Sequence, residues 1–179
     1  MSGYPAGSSE DRETLKKMHT EKLLDYFFLQ IRNLWRVDGL YFLGIEKKFG
    51  TEAATEIDAG VWEAMAEIEA KSLQKMSNVS ENPDVPTIMA LLGKSSWALD
   101  QPFKTIEISS KHAVLGIDRC RTQETRLSKG LSEFPCKKVR FGYLRNFAKT
   151  LNPKVQVNCL VCPPDKHPKD SWCKWEFAL

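Results

Sequence analysis

The chain has 179 residues, 42% of them hydrophobic, and a formal net charge of +3, the size and composition of an ordinary soluble domain able to bury a sizeable core. No apolar run approaches the roughly 18 residues of a membrane span, and the opening MSGYPAGSSEDRET has no apolar signal core, so a cytoplasmic chain with no membrane partner is expected. The charge is divided, with 11 Lys/Arg against 16 Asp/Glu in residues 1–100 (net −5) and 15 against 7 in residues 101–179 (net +8). A basic half can meet an anion or nucleic acid, or simply pack on the acidic half. No arginine-rich run or aromatic–basic RNA motif accompanies it, so a nucleic-acid partner is not expected.

Residues 1–9 read as a disordered Gly/Ser/Pro-rich tail. Ser9 to Arg36 reads as one helix, since Leu23, Leu24, Phe27, Phe28, Ile31, Leu34 and Trp35 recur at three- and four-residue steps. Val37-Asp38-Gly39 is expected to break it before a short helix, Leu40 to Phe49. Gly50 suits a helix end and Thr51 an N-cap. The third helix, about Glu52 to Met76, is expected to bury Ala54, Ile57, Val61, Met65 and Ile68, with Glu56, Glu63, Glu67 and Glu69 on a solvated face. Asp84 is placed to cap a short helix, with Pro86 in its first turn and its end near Gly93. The boundary between a helical half (10–100) and a mixed half (101–179) falls near Asp100-Gln101-Pro102.

Beyond that turn the period changes to two. Phe103 to Ser109 and His112 to Arg119 read as strands, Arg121 to Leu131 and Val139 to Leu151 as helices, and Val155 to Leu179 as a hairpin around a proline-rich loop. Val157 and Cys159 fall on one face of its first strand; Cys173, Trp175 and Phe177 share a face of its second. The order β-β-α-α-β-β after a helical half predicts an α+β fold, the helices packed on a four-stranded antiparallel sheet.

The runs Asn33-Leu34-Trp35-Arg36-Val37-Asp38-Gly39, Phe134-Pro135-Cys136 and Trp172-Cys173-Lys174-Trp175-Glu176-Phe177 resemble an uncharacterised prokaryotic group similar to the L-2-amino-thiazoline-4-carboxylate hydrolases. More distantly, the C-terminal half with its late cysteine resembles the four-vinyl-reductase type of small-molecule-binding domain. The resemblance implies a cytoplasmic α+β ligand-binding fold, hydrolysis of a C–N or C–S bond in a small cyclic amino acid derivative, and a site using Cys136 and Cys173.

All five cysteines lie beyond residue 119, and in a reducing compartment they are thiols rather than disulfides. Three readings stay open for them. Cys159, Cys162, His167 and Cys173 form a Zn-type donor set, with Cys120 and Cys136 as replacements. Cys136, beside Lys137 and Lys138 at a helix start, suits a nucleophile, with His112 or His167 as base and Asp118 or Asp165 orienting it. Cys159 and Cys173 also suit plain burial. The expected pocket takes a small anionic molecule, met by Arg119, Arg121, Arg126 and Lys137, with Cys136 and Cys173 facing it. The alternative to a hydrolase is a non-catalytic ligand- or metal-binding sensor module, homodimeric through the aromatic N-terminal helices.

Overall fold

The computed structural model describes residues 7–179; most of the expected N-terminal tail lies outside that range. The elements are α1 (Ser9–Lys16), α2 (Thr20–Phe49), α3 (Thr51–Met76), α4 (Val85–Leu92), α5 (Ser96–Leu99), β1 (Lys104–Ile108), β2 (His112–Ile117), α6 (Arg121–Ser128), α7 (Cys136–Leu151), β3 (Gln156–Val161) and β4 (Cys173–Ala178). The fold is α+β, as expected. Its antiparallel sheet has the order β1-β2-β4-β3, so β4 pairs with both β2 and β3. Val157 pairs with Phe177 and Cys159 with Trp175. Trp175 and Phe177 are fully buried, because α7 lies along this face of the sheet. One apolar cluster runs from Trp35 and Trp62 through Tyr143 to Trp175, so helical half and sheet share a core.

The helical half departs from expectation in three ways. First, Ser9 to Arg36 is not one helix. Ser8 caps α1 through a capping box with Asp11, α1 stops at Lys16, and the His19 side chain caps α2.

Second, α2 runs unbroken through Val37-Asp38-Gly39. A glycine inside a helix costs about 1 kcal/mol, but tertiary contacts on both sides offset it. The Trp35 ring stacks on Trp62 with centroids 4.6 Å apart, and Trp62 Nε1–H donates to Asp38 Oδ1 at 3.0 Å. The turn comes at Gly50, whose φ of 87° suits a residue without Cβ, and Gly50, not Thr51, occupies the N-cap of α3.

Third, α3 is turned about its axis. Its buried side is Ala54, Ala59, Trp62, Ala66 and Ala70, while Ile57, Val61 and Ile68 are exposed. The small residues let α7 approach closely. At Gly142 of α7, an added Cβ would run into the Glu63 side chain. Glu69 is not on a solvated face either. Its carboxylate accepts from Tyr143 Oη and from the backbone N–H of Ser96, both at 2.7 Å, tying α3 to α7 and α5.

Candidate functional site

A cavity of about 310 Å³ lies between α2, α6 and α7. Helix α2 contributes Trp35, Asp38, Gly39 and Phe42, and α7 contributes Cys136 and Arg140. Asp58 of α3 and Trp97 of α5 close one end. Arg121, Gln123 and Arg126 of α6 form the opposite wall, with Phe134 beyond them. Most of the surface lining it is apolar or aromatic, and charged or polar groups stand on both walls: Asp38, Asp58 and Arg140 on one, Arg121, Gln123 and Arg126 on the other.

The first of these walls is built around Arg140, which is buried although charged. Its guanidinium sits over four rings, 5.5 Å from the Trp35 centroid, 5.3 Å from Trp62, 4.9 Å from Trp97 and 5.0 Å from Tyr143. Nε and Nη1 have no hydrogen-bond partner, so the ring faces stand in for oxygen acceptors. Helix α7 places Arg140 one turn after Cys136 and three residues before Tyr143, on its inward face.

Asp38 and Asp58 meet beside this cation and hydrogen-bond to each other. Burial, then the neighbouring Asp38 carboxylate, pushes Asp58 up to about 7. Burial also raises Asp38, opposed by its bond from Trp62 and by Arg140. Two buried carboxyls this close favour holding one proton between them.

Cys136 opens α7 next to the same cation. A hydrogen bond from the Cys162 thiol, with Arg140 nearby, brings Cys136 down to about 7. The hairpin loop makes that contact. Lys137 N–H, in the first turn of α7, donates to Pro163 O at 2.8 Å, holding the loop across the helix start. Cys162 bonds to Cys136 and Cys173, which pushes its own pKa up. Burial raises Cys159 and brings Cys120, also in the cavity wall, up to about 12.

The cavity thus brings together Cys136, Arg121 and Arg126 of the expected site residues. Arg121 pairs with Asp100 at 2.5 Å, and Arg126 makes a two-pronged pair with Glu46 at 2.9 Å. The others lie elsewhere. Arg119 pairs with Glu124 and stacks on Phe103. Lys137 turns away from Cys136 to Asp165 at 2.5 Å, and these two border a separate shallow depression. His167 packs on Trp172, with one ring nitrogen 2.9 Å from Pro168 O and the other 3.3 Å from Glu133 Oε1. Cys173 is buried outside the cavity wall. His167 and Asp165 therefore do not join Cys136 at the cavity. Nor do Cys159, Cys162, His167 and Cys173 form the expected quartet: among the described residues no three His, Cys, Asp or Glu are grouped to hold a metal ion. Among them, too, no helix is long and apolar enough to cross a membrane.

A single α+β core with a small, mostly apolar cavity and a few charged groups on its walls has the form of a small-molecule site. The chain belongs to a family of unknown function, DUF6125, whose model matches residues 16–179. No curated protein matches it. Among solved structures it is similar to the phenol-responsive sensory domain of the transcription activator PoxR, in complex with phenol. The TM-score is 0.50 at 14% identity, covering 80% of this chain and 72% of that one. At that identity the likeness is one of fold. Neither match shows the expected similarity to the amino-thiazoline hydrolases.

The buried acid pair has a measurable signature. A carboxyl whose folded pKa lies above its unfolded value stabilises the fold below the unfolded pKa and loses that contribution as pH rises through the folded one. For Asp58 the window runs from its ordinary 3.8 to about 7. Asp58→Asn should flatten the stability profile there and leave the variant relatively more stable at pH 8, by on the order of a kcal/mol or more at about 1.4 kcal/mol per pK unit. Urea unfolding of both proteins at pH 4 and pH 8 checks this; an unchanged difference between the two pH values contradicts it.

Proposed function

We propose that this chain is a small-molecule-binding module, and that its ligand is a small aromatic acid or phenol held in the α2–α6–α7 cavity. The observation that carries this reading is the cavity itself, of about 310 Å³, at the lower end of the size of small-molecule sites and roomy for one ring, since about 150 Å³ takes benzene. Trp35, Phe42, Trp97 and Phe134 suit the ring. The charges suit an acidic substituent: Arg36, Arg121, Arg126, Lys129 and Arg140 line the cavity against Asp38 and Asp58. Arg36 and Lys129, on the rim, have no carboxylate partner among the described residues, while Glu46 and Asp100 stand behind Arg126 and Arg121. A cationic ligand would meet this excess of positive charge; an anion or an acidic hydroxyl is drawn by it. The likeness to a phenol-responsive sensory domain supports the same class of ligand.

Binding has more support than hydrolysis. Cys136 offers a thiol of lowered pKa, but neither His167 nor Asp165 reaches the cavity to serve it as base. Gly39 lines the cavity, and a Cβ there meets nothing within 4 Å, so Gly39→Phe fills the space without disturbing the helix. Titration with benzoate, phenol and benzylamine, followed by the fluorescence of Trp35 and Trp97, is expected to show binding of the first two and not the third. Gly39→Phe should weaken binding by about tenfold or more, roughly 1.4 kcal/mol. No response to benzoate or phenol, or equal binding by Gly39→Phe, overturns the assignment.

A second reading concerns the thiols. Cys162 lies close enough to Cys136 and Cys173 for each to raise its pKa, and Cys159 lies near enough to feel the charge of both. Four cysteines are a Zn²⁺ donor set, tetrahedral and structural rather than catalytic. Because no three donors are spaced for an ion as they stand, binding would require these side chains to turn toward a common centre. The set then differs from the expected one by exchanging His167 for Cys136. Metal analysis of protein purified without chelator should give about one zinc per chain, the stoichiometry of a single four-ligand site, lost in Cys162→Ser. Metal-free protein with freely titrating thiols counts against it.

A further inference from the structure

The outward faces of α2 and α3 are apolar where a monomer has no use for it. On α2, Phe27, Leu34, Val37 and Tyr41 lie opposite Gly39 and Leu43, which face the cavity. On α3, Ile57, Val61, Ala64 and Ile68 lie opposite the buried Ala59, Ala66 and Ala70. The large side chains among them are between 42% and 72% exposed.

The spacing is that of a helical seam. Residues 27, 30, 34, 37 and 41 step by three and four, as do 57, 61, 64 and 68, the a/d pattern of helices that pack on other helices. Only Gln30 interrupts it. The helices run antiparallel from the Gly50 turn, and the Trp35–Trp62 stack and the Asp38–Trp62 bond fix their levels. Tyr41 then stands about level with Ile57, Val37 with Val61 and Leu34 with Ala64. The hairpin thus carries two adjacent seams, both facing away from α7 and the cavity.

From this we infer that α2 and α3 form the interface of a homodimer, a four-helix bundle made from the hairpins of two copies. Two features point to a second copy of this chain. The first is size. Phe27 and Tyr41 leave open about half or more of the roughly 150–250 Å² of a large aromatic side chain, and five half-exposed aliphatic side chains extend the patch over both helices toward the roughly 800 Å² per partner of a specific interface. Isolated monomers rarely carry so much apolar surface in one patch. The second is self-complementarity. The α2 seam is bulky, while the α3 seam carries small Ala64 with exposed Gly60 beside it, where an added Cβ meets nothing within 4 Å. A two-fold axis sets the α2 ridge of each copy against the α3 hollow of the other, the isologous arrangement of most dimers. Neither seam carries a charged residue, so burial leaves no ion without a partner.

Sedimentation velocity across a range of concentrations tests this, on the wild type, Val61→Glu, Val37→Glu and a control, Leu160→Glu, on the exposed side of β3. The expected result is twice the 20.4 kDa chain mass for the wild type and the control, and one chain mass for both seam variants with unchanged far-UV circular dichroism. A wild type that stays monomeric at all concentrations overturns the inference, including one that instead binds neutral lipid vesicles. So does a dimer that survives both seam substitutions. Because the readout is mass, the inference stands or falls independently of whether the cavity binds an aromatic acid.

Discussion

A buried guanidinium with two N–H edges lacking hydrogen-bond partners is costly unless something replaces water around it. In this protein the replacement is a box of aromatic faces. Trp35, Trp62, Trp97 and Tyr143 come from α2, α3, α5 and α7, and each lies within 5.5 Å of Arg140. Desolvated contacts of this kind are worth about 2 kcal/mol or more. The box works only if all four helices keep their places. Arg140 therefore links the packing of the helical half to the chemistry of the cavity wall.

Three consequences follow from that one cation. It is the countercharge that lets Asp38 and Asp58 approach each other inside the protein. It holds Cys136 toward its thiolate together with Cys162, so the hairpin loop and the helix start meet at a polarised sulfur. It also gives the α7 side of the cavity a cation of its own, across from Arg121 and Arg126 of α6, with Phe42 and Phe134 between charged neighbours. The alanine side of α3 serves the same end: large residues there would push α7, and Arg140 with it, away from Trp62. The aliphatic residues of α3 face outward instead, where the dimer interface is inferred.

Much of the fold was legible in the sequence. The change of period at Phe103, the Asp84 cap, the Gly50 turn and the alternation of Cys173, Trp175 and Phe177 correspond to observed elements. The helical half was less legible because propensity and periodicity do not say which apolar stripe faces inward. Ala66 and Ala70 carry little hydrophobic signal beside Ile57 and Ile68, yet close packing selects the small residues. The cavity wall left a signal that was not read. Asp38 lies between Trp35 and Phe42, Asp58 between Ala54 and Trp62, and Arg140 between Val139 and Tyr143, each a charge on an apolar helix face. Local charge around Cys136 misled in turn, since Lys137 and Lys138 reach Asp165 and Glu56 and leave the cysteine to a cation four residues along.

The most direct test is the unfolding free energy of Arg140→Met, measured in urea at pH 7. Methionine fills much of the same volume, so what is lost is the charge. The account predicts destabilisation of about 3–5 kcal/mol, the penalty for leaving buried charges without their partner, and recovery of most of it when Asp38→Asn and Asp58→Asn are added. An Arg140→Met protein as stable as the wild type would contradict it, because the cavity wall would then not depend on this cation.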